Sequence, residues 1–157
     1  MRKLVNLNIY NNEDMELLKT YNEYLFNGLN NIRNNISHEE YLKRKEKLVS
    51  IKEYFYTKGE INIKNFYEVQ IEKDIKVAKI YPILVEDAKD EIIKISKLLL
   101  NSDIEEVFTF INKENKNLIN SLKVNNYESL GLDDNGMETM LFEQNKELEE
   151  ERSIRWK

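Results

Sequence analysis

Residues 107–131 read VFTFINKENKNLINSLKVNNYESLG, and this segment carries the most information about the architecture. It opens with VFTFI (107–111), a short and very apolar run that predicts a strand in the middle of a sheet. Residues 115–122 have a helical pattern, and the pair Asn125-Asn126 tolerates the left-handed backbone that ends a helix. The segment therefore predicts a strand, a helix and the start of a further strand in close succession.

Working outward, both flanks of this segment have a regular pattern. On the carboxyl side, Asp134-Asn135-Gly136 separates YESLGL from METMLF, and Asn-Gly between two such runs predicts a β-hairpin. On the amino side, residues 87–100 have a helical pattern, with Asp87 as the expected N-cap. Three strand candidates precede that helix: 53–57, 66–71 and 75–85.

The first fifty residues predict one strand and two helices. Residues 4–10 alternate between apolar and polar side chains, as a half-buried strand does. Asn12 is the expected N-cap of a helix over 13–32, because apolar residues recur there at spacings of three and four. Ser37-His38-Glu39-Glu40 is a capping box and opens a second helix, expected over 37–52.

Composition excludes several classes of function. With 157 residues the chain is expected to be a single domain over 1–157, with 144–157 as a charged tail. It has no cysteine and one histidine, so disulfides, thiolate catalysis and a metal site are not expected. The net charge of −5 disfavours nucleic acid as a partner. No apolar run approaches the ~20 residues of a membrane span, so we expect a cytoplasmic protein without a membrane partner.

The order of predicted elements, β-α-α-β-β-β-α-β-α-β-β, resembles the layout of the GNAT N-acetyltransferase superfamily. The likeness is closest over 107–131, where Asn115 falls on the family's Asn, Leu118-Ile119 on its small apolar pair and Asn126-Tyr127 on its Gly-Phe. The resemblance implies an α+β fold: a single GNAT-like domain with a mixed, mostly antiparallel central sheet and helices on both faces. It also implies one parallel strand pair that splays apart.

The resemblance implies acetyl-CoA as cosubstrate and no metal. In the family the cosubstrate lies where the two parallel strands diverge, here 75–85 and 107–111, and Pro82 suits the bulge that separates them. The pyrophosphate is held by backbone N–H groups at the start of the next helix. Asn115 is expected either to contact CoA or to cap its helix. The cofactor-binding residues implied are Ile83, Leu84, Val85, Lys89 and Asn115.

Three residues are candidates for catalysis, because the family's amine attacks the thioester with a Glu as base and a Tyr or Ser as acid. Glu68 and Glu72 lie in the strand region where such a base is found, and their even spacing predicts that both project from one sheet face. Tyr127 is a candidate acid, since the family's usual Tyr position is occupied by Leu122. A solvated strand face and core packing are the simpler interpretations of these residues.

The sequence departs from the family at the phosphate-binding loop. The family pattern Q/R-x-x-G-x-G/A is replaced by VEDAKDEIIK (85–94), which has no glycine and four carboxylates. Two functions therefore stay open. One is a divergent N-acyltransferase that moves an acetyl group from acetyl-CoA to an amine on a small molecule or a protein. The other is a non-catalytic GNAT-like binding protein, with an inhibitor, immunity or assembly role, whose protein partner contacts helices 13–32 and 37–52.

Overall fold

The computed structural model describes residues 3–59, 63–84 and 88–143, which form seven strands and five helices. The strands lie in one mixed sheet, in which β4–β5 is a parallel pair and β1–β2, β2–β3, β5–β7 and β6–β7 are antiparallel. The predicted α+β class is confirmed. The hydrogen-bonded strand order is β1-β2-β3-β4-β5-β7-β6. In chain order the elements are β1 (Lys3–Asn6), α1 (Asn12–Tyr21), α2 (Glu23–Asn35), α3 (His38–Lys47), β2 (Ser50–Lys58), β3 (Ile63–Glu72), β4 (Val77–Leu84), α4 (Lys89–Leu100), β5 (Glu106–Asn112), α5 (Lys116–Lys123), β6 (Tyr127–Leu132) and β7 (Met137–Phe142).

One compact unit, the N-terminal unit, consists of Met1–Ile75 and Pro82–Glu86. A buried polar pair joins its first helix to its sheet: the Tyr56 hydroxyl donates to the Asp14 carboxylate, which also accepts the Asn8 N–H at 3.3 Å. Burial, followed by this hydrogen bond, raises the pKa of Tyr56. The apolar core around the pair is formed by Leu7, Ile9, Met15, Leu18, Leu29, Tyr56, Ile63 and Phe66.

The other compact unit, the C-terminal unit, consists of Lys76–Tyr81 and Asp87–Lys157. Its central strand is β5, which pairs with β4 on one side and β7 on the other. Val107, Thr109 and Ile111 alternate along β5 and are all buried. The prediction that this strand lies in the middle of a sheet is confirmed.

The prediction of a single helix over 13–32 is wrong in one respect, because one helix ends and a second begins at Asn22. The Asn22 N–H donates to the Leu18 carbonyl at 2.7 Å and ends α1, while its side chain accepts the Leu25 N–H at 3.1 Å and begins α2. The apolar stripe continues across the break, which is why periodicity alone does not reveal it. One asparagine thus provides both helix ends.

Several helix boundaries also differ from those expected. The N-cap of α1 is Asn11, which accepts the N–H groups of the next turn, and Asn12 is the first helical residue. Ser37 is confirmed as the N-cap of α3, but that helix ends at Lys47 rather than near residue 52. Residues 50–52 belong to β2 because they pair with β3, and this tertiary pairing overrides the local helical pattern.

The carboxyl-terminal elements follow the predicted order. Asn126 has a φ of 72°, as expected for the residue that follows a helix end, and β6 and β7 form the predicted hairpin. Asp133 shapes the hairpin turn, since its side chain accepts the N–H groups of Asn135 and Met137 at 2.9 and 2.8 Å. The predicted tail over 144–157 lies outside the described residues. Within the described ranges, no helix is long and apolar enough to cross a membrane.

Replacing Asn22 tests its double role as a helix cap. We expect Asn22→Ala to lower the free energy of unfolding by about 1 kcal/mol, because the Leu25 N–H loses its partner. Urea denaturation followed by circular dichroism measures the change. Asn22→Asp keeps the side-chain acceptor and should lie much closer to the unsubstituted protein; an equal loss in both variants would contradict the capping role.

Candidate functional site

The parallel ladder between β4 and β5 is short. It joins Val77–Ile80 to Glu106–Thr109, whereas β4 continues to Leu84 and β5 to Asn112. At the last pair, the Thr109 hydroxyl donates to the Ile80 carbonyl at 3.1 Å, and both groups are buried. The Thr109 hydroxyl thus replaces the backbone N–H that would donate to this carbonyl if the parallel ladder continued by one more hydrogen bond. The predicted parallel pairing of these two strands is confirmed.

The residues directly after the last pair are both aromatic. The rings of Tyr81 and Phe110 stack with centroids 5.0 Å apart and an interplanar angle of 9°. On its other side β5 is paired with β7 from Phe108, opposite Leu141, to Asn112, opposite Met137. The stacked rings therefore mark the level at which the backbone of β4 loses β5 as a partner.

The continuation of β4 carries the residues expected to pair with pantetheine. Pro82 has no N–H, so this strand loses a donor immediately after the ladder ends. The Ile83 side chain is 39% exposed, and Leu84 packs against the core of the N-terminal unit. Val85, the third residue of the expected set, lies outside the described residues, as does the expected helix cap Asp87.

The start of α4 differs from that of the other described helices. Its N-cap is Ala88, which has no side chain to accept the first N–H groups. Lys89 lies 3.6 Å from the exposed carboxylate of Asp90, whereas Glu91 is buried. The other four helices each begin with a side-chain acceptor: Asn11, Asn22, Ser37 and Asn115.

Asn115 therefore acts as a helix cap. Its side chain accepts the Leu118 N–H at 3.3 Å. This was one of the two roles that the sequence left open, and a CoA contact by the same residue stays a prediction.

Glu68, one of the two glutamates predicted as bases, contacts two side chains of the neighbouring strand β2. The Tyr54 hydroxyl donates to its carboxylate at 3.4 Å, and the Lys52 ammonium also lies 3.4 Å away. Burial, and then the charge of Glu68, raise the pKa of Tyr54 to about 12. Glu72 is on the same strand with regular register between them, so the two Cα atoms are about 14 Å apart. The structure does not bring these carboxylates together as a pair.

Tyr127, the predicted acid, lies in the interior of the C-terminal unit. It is 3% exposed, and its hydroxyl is hydrogen-bonded to the Ser96 hydroxyl, which donates to the Ile92 carbonyl at 2.7 Å. Its ring contacts Phe142 with centroids 5.1 Å apart. Burial raises the pKa of Tyr127. Leu122 is likewise buried.

Searches of solved structures find acetyltransferases with this architecture. A spermidine N-acetyltransferase from Vibrio cholerae, in complex with CoA and spermine, matches with a TM-score of 0.65 at 13% identity, over 94% of this chain and 98% of that one. The N-acetyltransferase PseH of Campylobacter jejuni, with acetyl coenzyme A, gives 0.59 at 16% over 92% and 99%. PaiA N-acetyltransferase from Thermoplasma acidophilum, with coenzyme A, gives 0.56 at 16% over 91% and 99%.

This chain has the GNAT fold. No protein-family model matches the sequence, and a search of curated proteins gives no match. At these identities the likeness establishes the GNAT architecture and leaves the activity to be argued from the residues.

Sequence reasoning missed three residues at positions that matter in this GNAT fold. Thr109 could have been noticed as the only polar residue within VFTFI, since a buried hydroxyl needs a partner. Tyr54 and Lys52 gave no such signal, because their contacts with Glu68 depend on the register between β2 and β3. That register places Tyr54 directly opposite Glu68.

Removing the Thr109 hydroxyl tests its role at the end of the parallel ladder. Thr109→Val leaves the buried Ile80 carbonyl without this donor, so we expect the free energy of unfolding to fall by about 1–3 kcal/mol. Chemical denaturation measures the loss. Thr109→Ser retains the hydroxyl and serves as the matched control; if serine is as destabilising as valine, the hydrogen bond is not the cause.

Alkaline titration tests the contact between Tyr54 and Glu68. The raised pKa means that Tyr54 stabilises the fold fully below pH ~10, and that this contribution is lost as the pH rises through about 12. Glu68→Gln removes the neighbouring charge, so the pKa of Tyr54 should fall but stay above 10, because burial is the largest cause. NMR of the tyrosine ring carbons measures it, with Tyr54→Phe for assignment. An unchanged pKa would contradict the contact.

Proposed function

We propose that this chain is a divergent GNAT-type N-acyltransferase that moves an acetyl group from acetyl-CoA to an amine acceptor. The observation that carries the proposal is the early end of the parallel ladder at Ile80–Thr109, since β4 as a strand extends to Leu84 and β5 to Asn112. The likeness to acetyltransferase structures in complex with CoA or acetyl coenzyme A supports it.

The residues that would hold acetyl-CoA fit it by their chemistry. The backbone of Ile83 and Leu84 follows the end of the ladder and suits the amides of pantetheine. The start of α4 suits the pyrophosphate, because Ala88 leaves the first N–H groups without a side-chain acceptor and Lys89 adds a positive charge. When bound, acetyl-CoA supplies an acyl group activated as a thioester.

Glu68 is the base in this proposal. It would accept the proton that the amine loses, directly or through one water, as the new C–N bond forms and the thioester C–S bond breaks. CoA would leave as a thiolate and take its proton from solvent. Lys52 and Tyr54 contact Oε1 of this carboxylate, and the Gln70 amide donates to Oε2 at 3.5 Å, so these side chains fix its orientation. Glu72 lies about 14 Å further along the strand, and Tyr127 has its hydroxyl buried against Ser96, so we assign both to structural roles.

The non-catalytic alternative is favoured by one observation, the apolar side chains exposed on and beside α2 and α3. Tyr24 is 87% exposed, and Leu42 and Leu48 are about half exposed. Such side chains are typical of a surface that contacts another protein. This alternative predicts an intact fold without affinity for acetyl-CoA.

Thermal unfolding with acetyl-CoA separates the two functions. At 100 times its dissociation constant, a bound ligand stabilises the folded state by about 2.7 kcal/mol. We expect a concentration-dependent rise in Tm with acetyl-CoA and with CoA. The absence of any shift at millimolar acetyl-CoA would favour the non-catalytic protein.

Substitution of Glu68 then tests the mechanism. With an amine that the protein acetylates, chosen from a panel of polyamines, amino sugars and peptide N-termini, Glu68→Gln should lower kcat by about 10²–10⁴-fold and flatten the acid limb of the pH profile. Glu72→Gln is the matched control on the same strand and should retain most of the activity. Equal losses in the two variants would remove Glu68 from the catalytic role.

A further inference from the structure

The N-terminal unit contains a cavity of about 540 Å³ beside β2. Its walls are mainly apolar, and they come from α2, α3, residues 6–10 and the first half of β2. The apolar side chains that line it include Leu29, Ile32, Leu42, Leu48 and Ile51. Leu42 and Leu48 are also partly exposed to solvent, so the cavity opens to the surface beside them.

One wall of the cavity is a strand edge. β1 pairs with β2 as far as Asn6 opposite Phe55, and a last bond runs from the Leu7 N–H to the Tyr54 carbonyl at 2.6 Å. The chain then turns away, with the Tyr10 N–H donating to the Asn8 side chain at 2.9 Å. Residues 50–53 therefore have β3 as their strand neighbour among the described residues, with no strand on the other side.

The direction of the backbone groups on this edge follows from the ladder. Successive residues of a strand direct their N–H and C=O groups to opposite neighbours. Tyr54 directs its carbonyl to the β1 side, so Lys52, two residues earlier, directs both its N–H and its C=O the same way. Lys52 lines the cavity, and the cavity wall thus offers one backbone donor and one backbone acceptor.

The charges around the cavity are already compensated. The Lys45 ammonium lies 3.2 Å from the Glu53 carboxylate, and Lys52 lies 3.4 Å from Glu68. A ligand with a net charge would have to compete with these pairs. Apolar walls, paired charges and an amide edge together suit a ligand that is uncharged, apolar and itself carries amides.

We propose that this cavity binds an extended, uncharged, apolar peptide segment, which adds to β2 as a strand at Lys52. Residues 50–53 give an edge of about 14 Å, enough for about four residues of the added strand. Alternate side chains of the peptide then contact the apolar walls. This function goes beyond acyl transfer and does not depend on whether the chain binds acetyl-CoA.

Titration with a defined peptide tests the proposal. The probe is the blocked tetrapeptide acetyl-Val-Thr-Val-Leu-amide, added to the full chain labelled with ¹⁵N. We expect saturable chemical-shift changes for the residues that line the cavity, and slower hydrogen exchange of the Lys52 amide. The fully N-methylated peptide of the same sequence cannot donate to the edge and should bind roughly five- to tenfold more weakly or worse.

Two pairs of variants separate the edge from the apolar walls. Lys52→Pro removes the N–H that faces the cavity and keeps every bond to β3, and an edge strand tolerates proline at such a position. We expect this variant to bind the peptide more weakly. Lys52→Ala loses only the side chain and should retain the affinity for the peptide. Leu42→Glu should weaken binding, whereas Ile75→Glu, at an exposed position away from the cavity, should not.

Two outcomes would overturn the proposal. One is no shift change at millimolar peptide in a chain whose folding is confirmed by its NMR spectrum. The other is equal affinity for the N-methylated and unmethylated peptides, which would show that the peptide does not add to β2 as a strand. Neither result depends on acetyl-CoA, so failure here and failure of the acyltransferase proposal can be distinguished.

Discussion

A strand that loses its neighbour must find other partners for its backbone N–H and C=O groups, and this requirement shapes the molecule at two places. At the end of the β4–β5 ladder, the Thr109 hydroxyl donates to the Ile80 carbonyl. Pro82 has no backbone N–H, so one fewer donor needs an acceptor there. Where β1 leaves β2, no side chain of the described residues is seen to bond the equivalent groups of Lys52, and a cavity lies beside them. The first end is closed by the protein itself, whereas the second is the edge at which we propose that a peptide binds.

The sequence predicted well where the signal is local. The segment 107–131 contains a buried strand, a helix with its Asn115 cap and the left-handed Asn126, and each depends on neighbours within a few residues. Ser37 and the hairpin around Asn135 belong to the same group. Because these elements come in the order of one known architecture, the parallel strand pair could be predicted before any contact was known.

The sequence predicted poorly where a contact joins distant residues. The helix ends at Lys47 because residues 50–52 pair with β3, some twenty residues later, and a capping box says nothing of that pairing. The surroundings of Glu68 depend on the same register, which brings Tyr54 opposite it. The sequence could predict only that side chains alternate between the two faces of the strand. This alternation predicts the sheet face on which Glu68 lies but not the residues that contact it.

The acidic residues at the start of α4 are the strongest argument from sequence against a bound pyrophosphate. The structure weakens that argument. Of the two that lie in the described ranges, Glu91 is buried and Asp90 is exposed beside Lys89. A solvent-exposed carboxylate repels a nearby charge by about 1 kcal/mol in water, and salt screens it further. The first N–H groups of α4, which the Ala88 side chain cannot accept, act in the opposite direction. In the proposed acyltransferase these terms would alter the affinity for acetyl-CoA and would not change the proposed role of Glu68, so a divergent phosphate site is compatible with weak binding and an intact reaction.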